Sequence, residues 1–134
     1  MDGPLVRRKG PLEIREEIPN GPKAAAQARR LLDRFESRIP DESMIDARLA
    51  LSEIVTNSYK HAGNPPGAPI EVTVTDSQDR LRLEILDRSI FDPTPETTEE
   101  LRSAKWGLHV VDRLADEWGR ITEGGIWVEF DIAQ

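Results

Sequence analysis

Apolar residues recur along this chain with two periods, and the changes of period mark out its elements. From Leu12 to Ile18 the apolar residues Leu12, Ile14 and Ile18 alternate with charged ones, which predicts a first strand. Asn20-Gly21-Pro22 then forms a turn, with proline placed to open a helix. The helix runs from Pro22 to about Arg38 and turns Ala25, Ala26, Ala28, Leu31, Leu32 and Phe35 to one face. Pro40 and Asp41 end it and begin the central helix, with Asp41 or Ser43 as the expected N-cap. The core of that central helix is Ile45 to Ala62. Ala47, Leu51, Ile54, Val55, Ser58 and Ala62 recur there at spacings of three and four and form a buried stripe.

Gly63 to Pro69 reads as a loop. Two period-two segments follow, Ile70–Thr75 and Leu81–Leu86, joined by Asp76-Ser77-Gln78-Asp79, and together they predict a hairpin with one buried face. Asp87 to Trp106 has no clear period, and a loop of that length inside a compact domain is a place to look for function. Gly107 to Trp118 reads as a third helix, with Leu108, Val111, Leu114 and Ala115 inward. Gly119–Thr122 and Ile126–Ile132 form a closing hairpin. The order predicts an α+β protein: a two-layer sandwich of a mixed, mostly antiparallel sheet with three helices on one face. It excludes Rossmann and P-loop proteins, because the glycine motifs and the parallel βαβ alternation are both missing.

Composition narrows the picture. A length of 134 residues fits a single domain over 11–134, after a flexible arm at 1–10 that carries two glycines, a proline and Arg7-Arg8-Lys9. The absence of cysteine rules out disulfides and thiolate metal sites, and two histidines do not make a zinc cluster. The net charge of −7 argues against a general nucleic-acid binder. There is neither the apolar core of a signal peptide nor a run near the roughly 20 apolar residues needed to span a bilayer, so the expectation is a soluble, cytoplasmic protein.

Three places could carry chemistry. On the central helix Glu53, Asn57 and His61 follow at i, i+4 and i+8 and form one row, with Lys60 close by. A carboxylate, a carboxamide and a cation along an apolar stripe can hold a hydrated metal and a phosphate; the same row also fits an ordinary solvated flank. Asp87 directly follows a strong strand, where a turn former or cap is the plain alternative. Gly107 opens a helix after the long loop, so backbone N–H groups there suit a phosphate. The first helix also carries Lys23, Arg29, Arg30, Arg34 and Arg38 against Asp33 and Glu36, which fits either a solvated face or a partner site.

Taken in order, SEIVTNSYKHA resembles the N box, LDRSIFDP the first glycine box and KWGLHVVDRLADEWG the second glycine box of the GHKL (histidine-kinase-like, Bergerat fold) ATPase superfamily. The small stand-alone branch of anti-sigma-factor serine/threonine kinases is the most similar. The resemblance runs from about Leu12 onwards and includes the Gly125–Phe130 strand. It implies ATP and Mg²⁺ as cofactors, with Asn57 as the protein ligand of the metal and Glu53 as the general base on the attacking hydroxyl. Asp87 would accept a hydrogen bond from the exocyclic amine of adenine. Lys60 and His61 would be contacts on the phosphate side, and Arg88 to Trp106 a lid. Lys105, Trp106, Gly107 and Leu108 would form the phosphate-facing helix start, where glycine allows close backbone approach. The implied partners are a sigma factor and an anti-sigma-factor antagonist phosphorylated on Ser or Thr, with room for a homodimer and none for direct nucleic-acid or membrane binding.

The chain departs from the pattern at three places. Ser89 and Lys105 stand where the boxes usually have glycine, and Gly125 where a threonine is common. The alternative is therefore a degenerate GHKL interaction module with weak or no ATP binding and no kinase activity. A sensor-kinase catalytic domain shares the boxes, but the chain shows no helix pair with a phosphoacceptor histidine.

Overall fold

The computed structural model describes residues 11–61, 69–77, 79–87 and 108–133. Strand β1 (Leu12–Pro19) is followed by helices α1 (Ala24–Asp33) and α2 (Asp41–His61), the hairpin β2 (Pro69–Asp76) and β3 (Arg80–Leu86), helix α3 (Leu108–Leu114), and the hairpin β4 (Glu117–Ile121) and β5 (Gly125–Asp131). The five strands form one sheet in the order β1-β2-β3-β5-β4. Every pairing among the described strands is antiparallel, so the sheet is uniform where a mixed one was expected.

Alternation decides which face of the sheet is covered. Ile70, Val72 and Val74 on β2, Leu81, Leu83 and Ile85 on β3, and Ile126, Val128 and Phe130 on β5 are buried. Residues Ala47, Ala50, Leu51, Ile54 and Val55 of the α2 stripe join them in one core with Leu31, Leu32 and Phe35, as do Leu108 and Val111. Each large side chain moved out of water here stabilises the fold by about 1.5–3 kcal/mol before entropy is counted. On α1 the inward residues are Ala24, Ala28, Leu31 and Leu32, while Ala25 and Ala26 are only half-buried.

The opposite face of the sheet is closed by its own charges. Arg82 donates to Glu84 and to Glu129 at 2.7 Å each, and its guanidinium lies 4.7 Å from the centre of the Trp127 ring. Partial burial opposes the Arg82 charge. The hydrogen bonds and negative charges of Glu84 and Glu129 outweigh it, so the guanidinium is held even more firmly protonated than usual.

Four readings need correction. The first helix ends at Asp33 and continues to Arg38 only as turns, rather than as one helix. The first hydrogen bond of α2 runs from the Met44 N–H to the Pro40 carbonyl, which places Asp41 and Ser43 inside the helix and makes neither the N-cap. Helix α3 stops at Leu114, and Glu117 and Trp118 belong to β4, paired with Glu129 and Val128. The spacing of Leu114, Ala115 and Trp118 imitates a helical stripe, but the strand pairing satisfies the backbone of Glu117 and Trp118 instead. Finally, the cations of α1 and of the turns that follow it are partly internal. Arg38 donates to the fully buried Asp76 at 3.0 Å, and Arg29 donates to Ser52 Oγ at 2.8 Å.

Candidate functional site

The strand registers bring four chain segments to one end of the molecule. Ile18 lies opposite Ile70, Leu86 opposite Glu71, and Leu86 again opposite Gly125. The end of β1, the start of β2, the end of β3 and the start of β5 therefore share an edge, with Asp87 directly beyond it. Helix α2 points to the same edge, because it runs antiparallel to α1. Arg48 reaches Asp33 at 2.8 Å near the end of α1, and Ser52 meets Arg29 one turn earlier on α1. Continuing along both helices places the last turns of α2 beside the start of α1, which follows β1.

Glu53 and Asn57 are half-buried on α2. The Asn57 amide nitrogen donates to the Glu53 carbonyl oxygen at 2.7 Å. Only the NH₂ group can donate to a carbonyl, so the bond fixes the carboxamide and leaves Oδ1 as the acceptor for a ligand. The Glu53 carboxylate makes no hydrogen bond or ion pair with any described residue.

Asp87 is only 2% exposed. Strand parity puts it on the same side as Leu81, Leu83 and Ile85, beneath the helices. Its own N–H donates to the Gly124 carbonyl at 2.8 Å, which ties it to the turn between β4 and β5. That turn needs its glycines. Gly124 has φ of 112°, a conformation that costs glycine little. At Gly125 a Cβ would run into the Ile85 carbonyl oxygen and stand 3.0 Å from Leu86 Cα. The threonine common at this place has no room in the present backbone.

The structure thus brings Glu53, Asn57 and Asp87 to one end of the fold, on the helix-covered side. Leu108, the first residue of α3, is fully buried and its side chain packs in the core. Lys60 and His61 belong to the last turn of α2, but their side chains lie outside the described residues, as do Ser89, Lys105, Trp106 and Gly107 and the proposed lid. Ser58 is a further polar group at this end that the sequence hid. It reads as one small residue in the α2 stripe, yet its buried hydroxyl has no hydrogen-bond partner.

A metal held here would not rest on a protein cage, since no cluster of three or more His, Cys, Asp or Glu exists among the described residues. The donor set fits magnesium, which takes one or two protein oxygens and fills its shell with water and phosphate. Asn57 Oδ1 is such an oxygen. A separate groove of about 310 Å³ lies between β1 and α1, lined among others by Glu16, Ile18, Arg30 and Arg34, and involves none of these residues.

Comparison with known proteins identifies the family and the fold. The family model described as the histidine kinase-like ATPase domain matches residues 18–132. No curated protein gives a significant match. Among solved structures, the RsbU and RsbW domains of Rv1364c from Mycobacterium tuberculosis superpose with a TM-score of 0.63 at 21% identity, over 92% of this chain and 32% of that one. The likeness establishes a shared fold, and the chain spans about a third of the length of that solved chain.

Proposed function

The chain belongs to the histidine kinase-like ATPase domain family, and on that premise we propose that it is an ATP-dependent regulator of the anti-sigma-factor kinase type. It binds Mg-ATP, transfers the γ-phosphoryl group to a serine or threonine of an antagonist protein, and sequesters a sigma factor in the cytoplasm. Membership in the family implies nucleotide binding. The branch is supported by the N-box and glycine-box resemblance and by the RsbW domain in the structural neighbour.

The observation that carries the reading is the convergence of Glu53, Asn57 and Asp87 at one end of the core, from a helix and a strand end 34 residues apart at the extremes. Each has a separate task. Asp87 accepts a hydrogen bond from the adenine amine at the buried end of β3. Asn57 offers Oδ1 to the magnesium ion, which when bound neutralises and orients the phosphates. Glu53, one turn nearer the start of α2, takes the proton of the attacking hydroxyl.

No described helix is long and apolar enough to cross a membrane. A pure interaction module is the second reading, favoured by Ser89 and Lys105 in place of box glycines. An equilibrium titration with Mg-ATP, with GTP as control, tests the binding claim, and saturable binding of ATP in preference to GTP is expected. Failure to bind ATP would leave the interaction module.

A further inference from the structure

Helix α2 carries two large apolar residues that the core does not use. Ile45 is 65% exposed and Leu49 is 47% exposed, and no other large apolar side chain among the described residues is as open to water. Met44, Ala47 and Leu51 turn inward, while Arg48 and Ser52 hold α1 along one flank through Asp33 and Arg29. Ile45 and Leu49 lie on the remaining, outward arc. Single apolar residues scattered over a surface need no explanation. Two on successive turns of one helix are neighbours, and together they form a continuous patch.

The patch leads to the proposed base. Asp41, Ile45, Leu49 and Glu53 follow one another in steps of four, a line that winds about 40° per step and advances about 6 Å. Read along the helix, it runs acidic, apolar, apolar, and then Glu53. Asp41 and Glu42 are exposed in the first turn, and Asp46 stands half-buried beside Leu49. The nearest cation, Arg48, is already engaged by Asp33 and Glu36. The surroundings of the apolar pair are therefore acidic, and they suit a partner that offers basic side chains.

An extended segment presents side chains on one side at every second residue, about 6.6 Å apart. That repeat matches one turn of α2. A hydroxyl held at Glu53 would place the residues two and four positions along over Leu49 and Ile45, and the next ones over Asp41 and Glu42. We propose that Ile45 and Leu49 are the docking surface for the protein that receives the phosphoryl group. Its acceptor serine or threonine stands in an extended segment, with apolar residues two and four positions away and basic residues beyond them. The inference rests on the kinase reading above. In the step it serves, the acceptor oxygen bonds to the γ-phosphorus as the bond to the departing ADP oxygen breaks, and the hydroxyl proton passes to Glu53. Docking away from the reacting atoms holds the acceptor in place for that step.

The test uses the full chain, as wild type and as the double variant Ile45→Gln/Leu49→Gln, since glutamine keeps good helix propensity. The probes are synthetic peptides containing Ser-Gly-Leu-Gly-Leu-Lys-Lys, the same order reversed, and controls with glycine for leucine or glutamate for lysine. Peptide binding at saturating Mg-ATP is followed by fluorescence anisotropy and transfer by labelled γ-phosphate, with Mg-ATP affinity, melting temperature and sedimentation measured beside them. Wild type should bind and phosphorylate the leucine–lysine peptide in one of its two orders, at least about 10-fold better than either control. The double variant should lose that preference through a rise of about 10-fold in KM, with kcat, Mg-ATP affinity and melting temperature kept. Equal use of all peptides, or a preference that survives in the variant, would overturn the proposal and leave nucleotide binding untouched. Peptide binding without transfer would also overturn it, as the patch would then serve another partner. So would a dimer that the double variant dissociates, or a clear drop in its melting temperature, because the pair would then pack within the protein or between its copies. If wild type binds no Mg-ATP, the kinase reading itself fails and this inference with it.

Discussion

The side-chain amide of Asn57 is bonded to the backbone of Glu53, one helical turn away, through an N–H···O contact of 2.7 Å. The two residues that divide the proposed chemistry are thus mechanically joined. Glu53 fixes the orientation of Asn57 with its carbonyl, and its own side chain stays available. Spacing of four residues makes the bond geometrically natural in a helix, where neighbours at i and i+4 lie one above the other. The consequence is a preset oxygen: no rotation of the carboxamide is needed before it meets a cation.

Asn57→Ala removes that oxygen and should weaken Mg-ATP binding itself. Loss of a supporting partner around a metal ligand typically costs about 10- to 100-fold in affinity, and loss of the ligand should cost at least as much. Titration of ATP with and without Mg²⁺ checks this. The magnesium-dependent part of the affinity should disappear, while binding without the metal should change little. Equal Mg²⁺ dependence in wild type and variant would remove Asn57 from the site.

Gly125→Ala should loosen the frame behind Asp87. The new methyl meets the Ile85 carbonyl oxygen, which belongs to the backbone and cannot swing aside. Forcing extra atoms into a packed site costs typically about 1–3 kcal/mol, and here strands β3 and β5 must separate at Leu86 and Gly125 to relieve it. Urea denaturation should show that loss. ATP affinity should fall as well, because the Asp87 N–H is held by the neighbouring Gly124. Wild-type stability in the variant would mean that the strand ends are more adaptable than their register implies.

Arg38→Ala should destabilise the protein without touching the nucleotide. Its guanidinium is 3.0 Å from the carboxylate of Asp76, which is fully buried at the opposite end of β2 from Asp87. Removing one member of a buried pair strands the other charge and costs about 3–5 kcal/mol; the lower end applies here, because Asp76 has further interactions. The urea midpoint should drop with an unchanged slope, and ATP affinity measured below the transition should stay at the wild-type value. A loss under about 1 kcal/mol, the ordinary worth of a surface pair, would show the bridge to be solvated.

The parts legible in the sequence were those set by local periodicity. Val72 and Val74, and Leu81, Leu83 and Ile85, alternate because one sheet face is buried, so both strands could be placed without knowing their partners. The row of Glu53 and Asn57 was readable for the same reason, from helical geometry alone. What stayed hidden depends on residues far apart in the chain. Arg38 looked like one more solvated cation because its partner Asp76 is 38 residues away. Trp118 fitted a helical stripe until its pairing with Val128 made it strand. Ser58 fitted the stripe so well that its polarity carried no signal; only burial without a hydrogen-bond partner exposes it. The absence of space at Gly125 is likewise a property of the β3–β5 register, not of the Gly-Gly pair in the sequence.

Glu53→Gln separates a kinase from a binding module. Glutamine keeps the size and polarity of the side chain, and the backbone carbonyl that holds Asn57 is unaltered, so Mg-ATP affinity should remain close to wild type. The amide cannot act as a base. A positioned general base contributes typically about 10²–10⁴ in rate, and single-turnover phosphoryl transfer to an antagonist should fall by that factor. Sequestration of a sigma factor should persist, since it requires bound nucleotide and an intact surface but no proton transfer. The contrast with Asn57→Ala is the informative part: one variant loses the cofactor and the chemistry together, the other the chemistry alone. Should wild type bind Mg-ATP yet transfer phosphate to no candidate antagonist, and Glu53→Gln behave identically in every assay, Glu53 would be a solvated flank residue. The protein would then work through binding, with ATP as a conformational ligand instead of a phosphate donor.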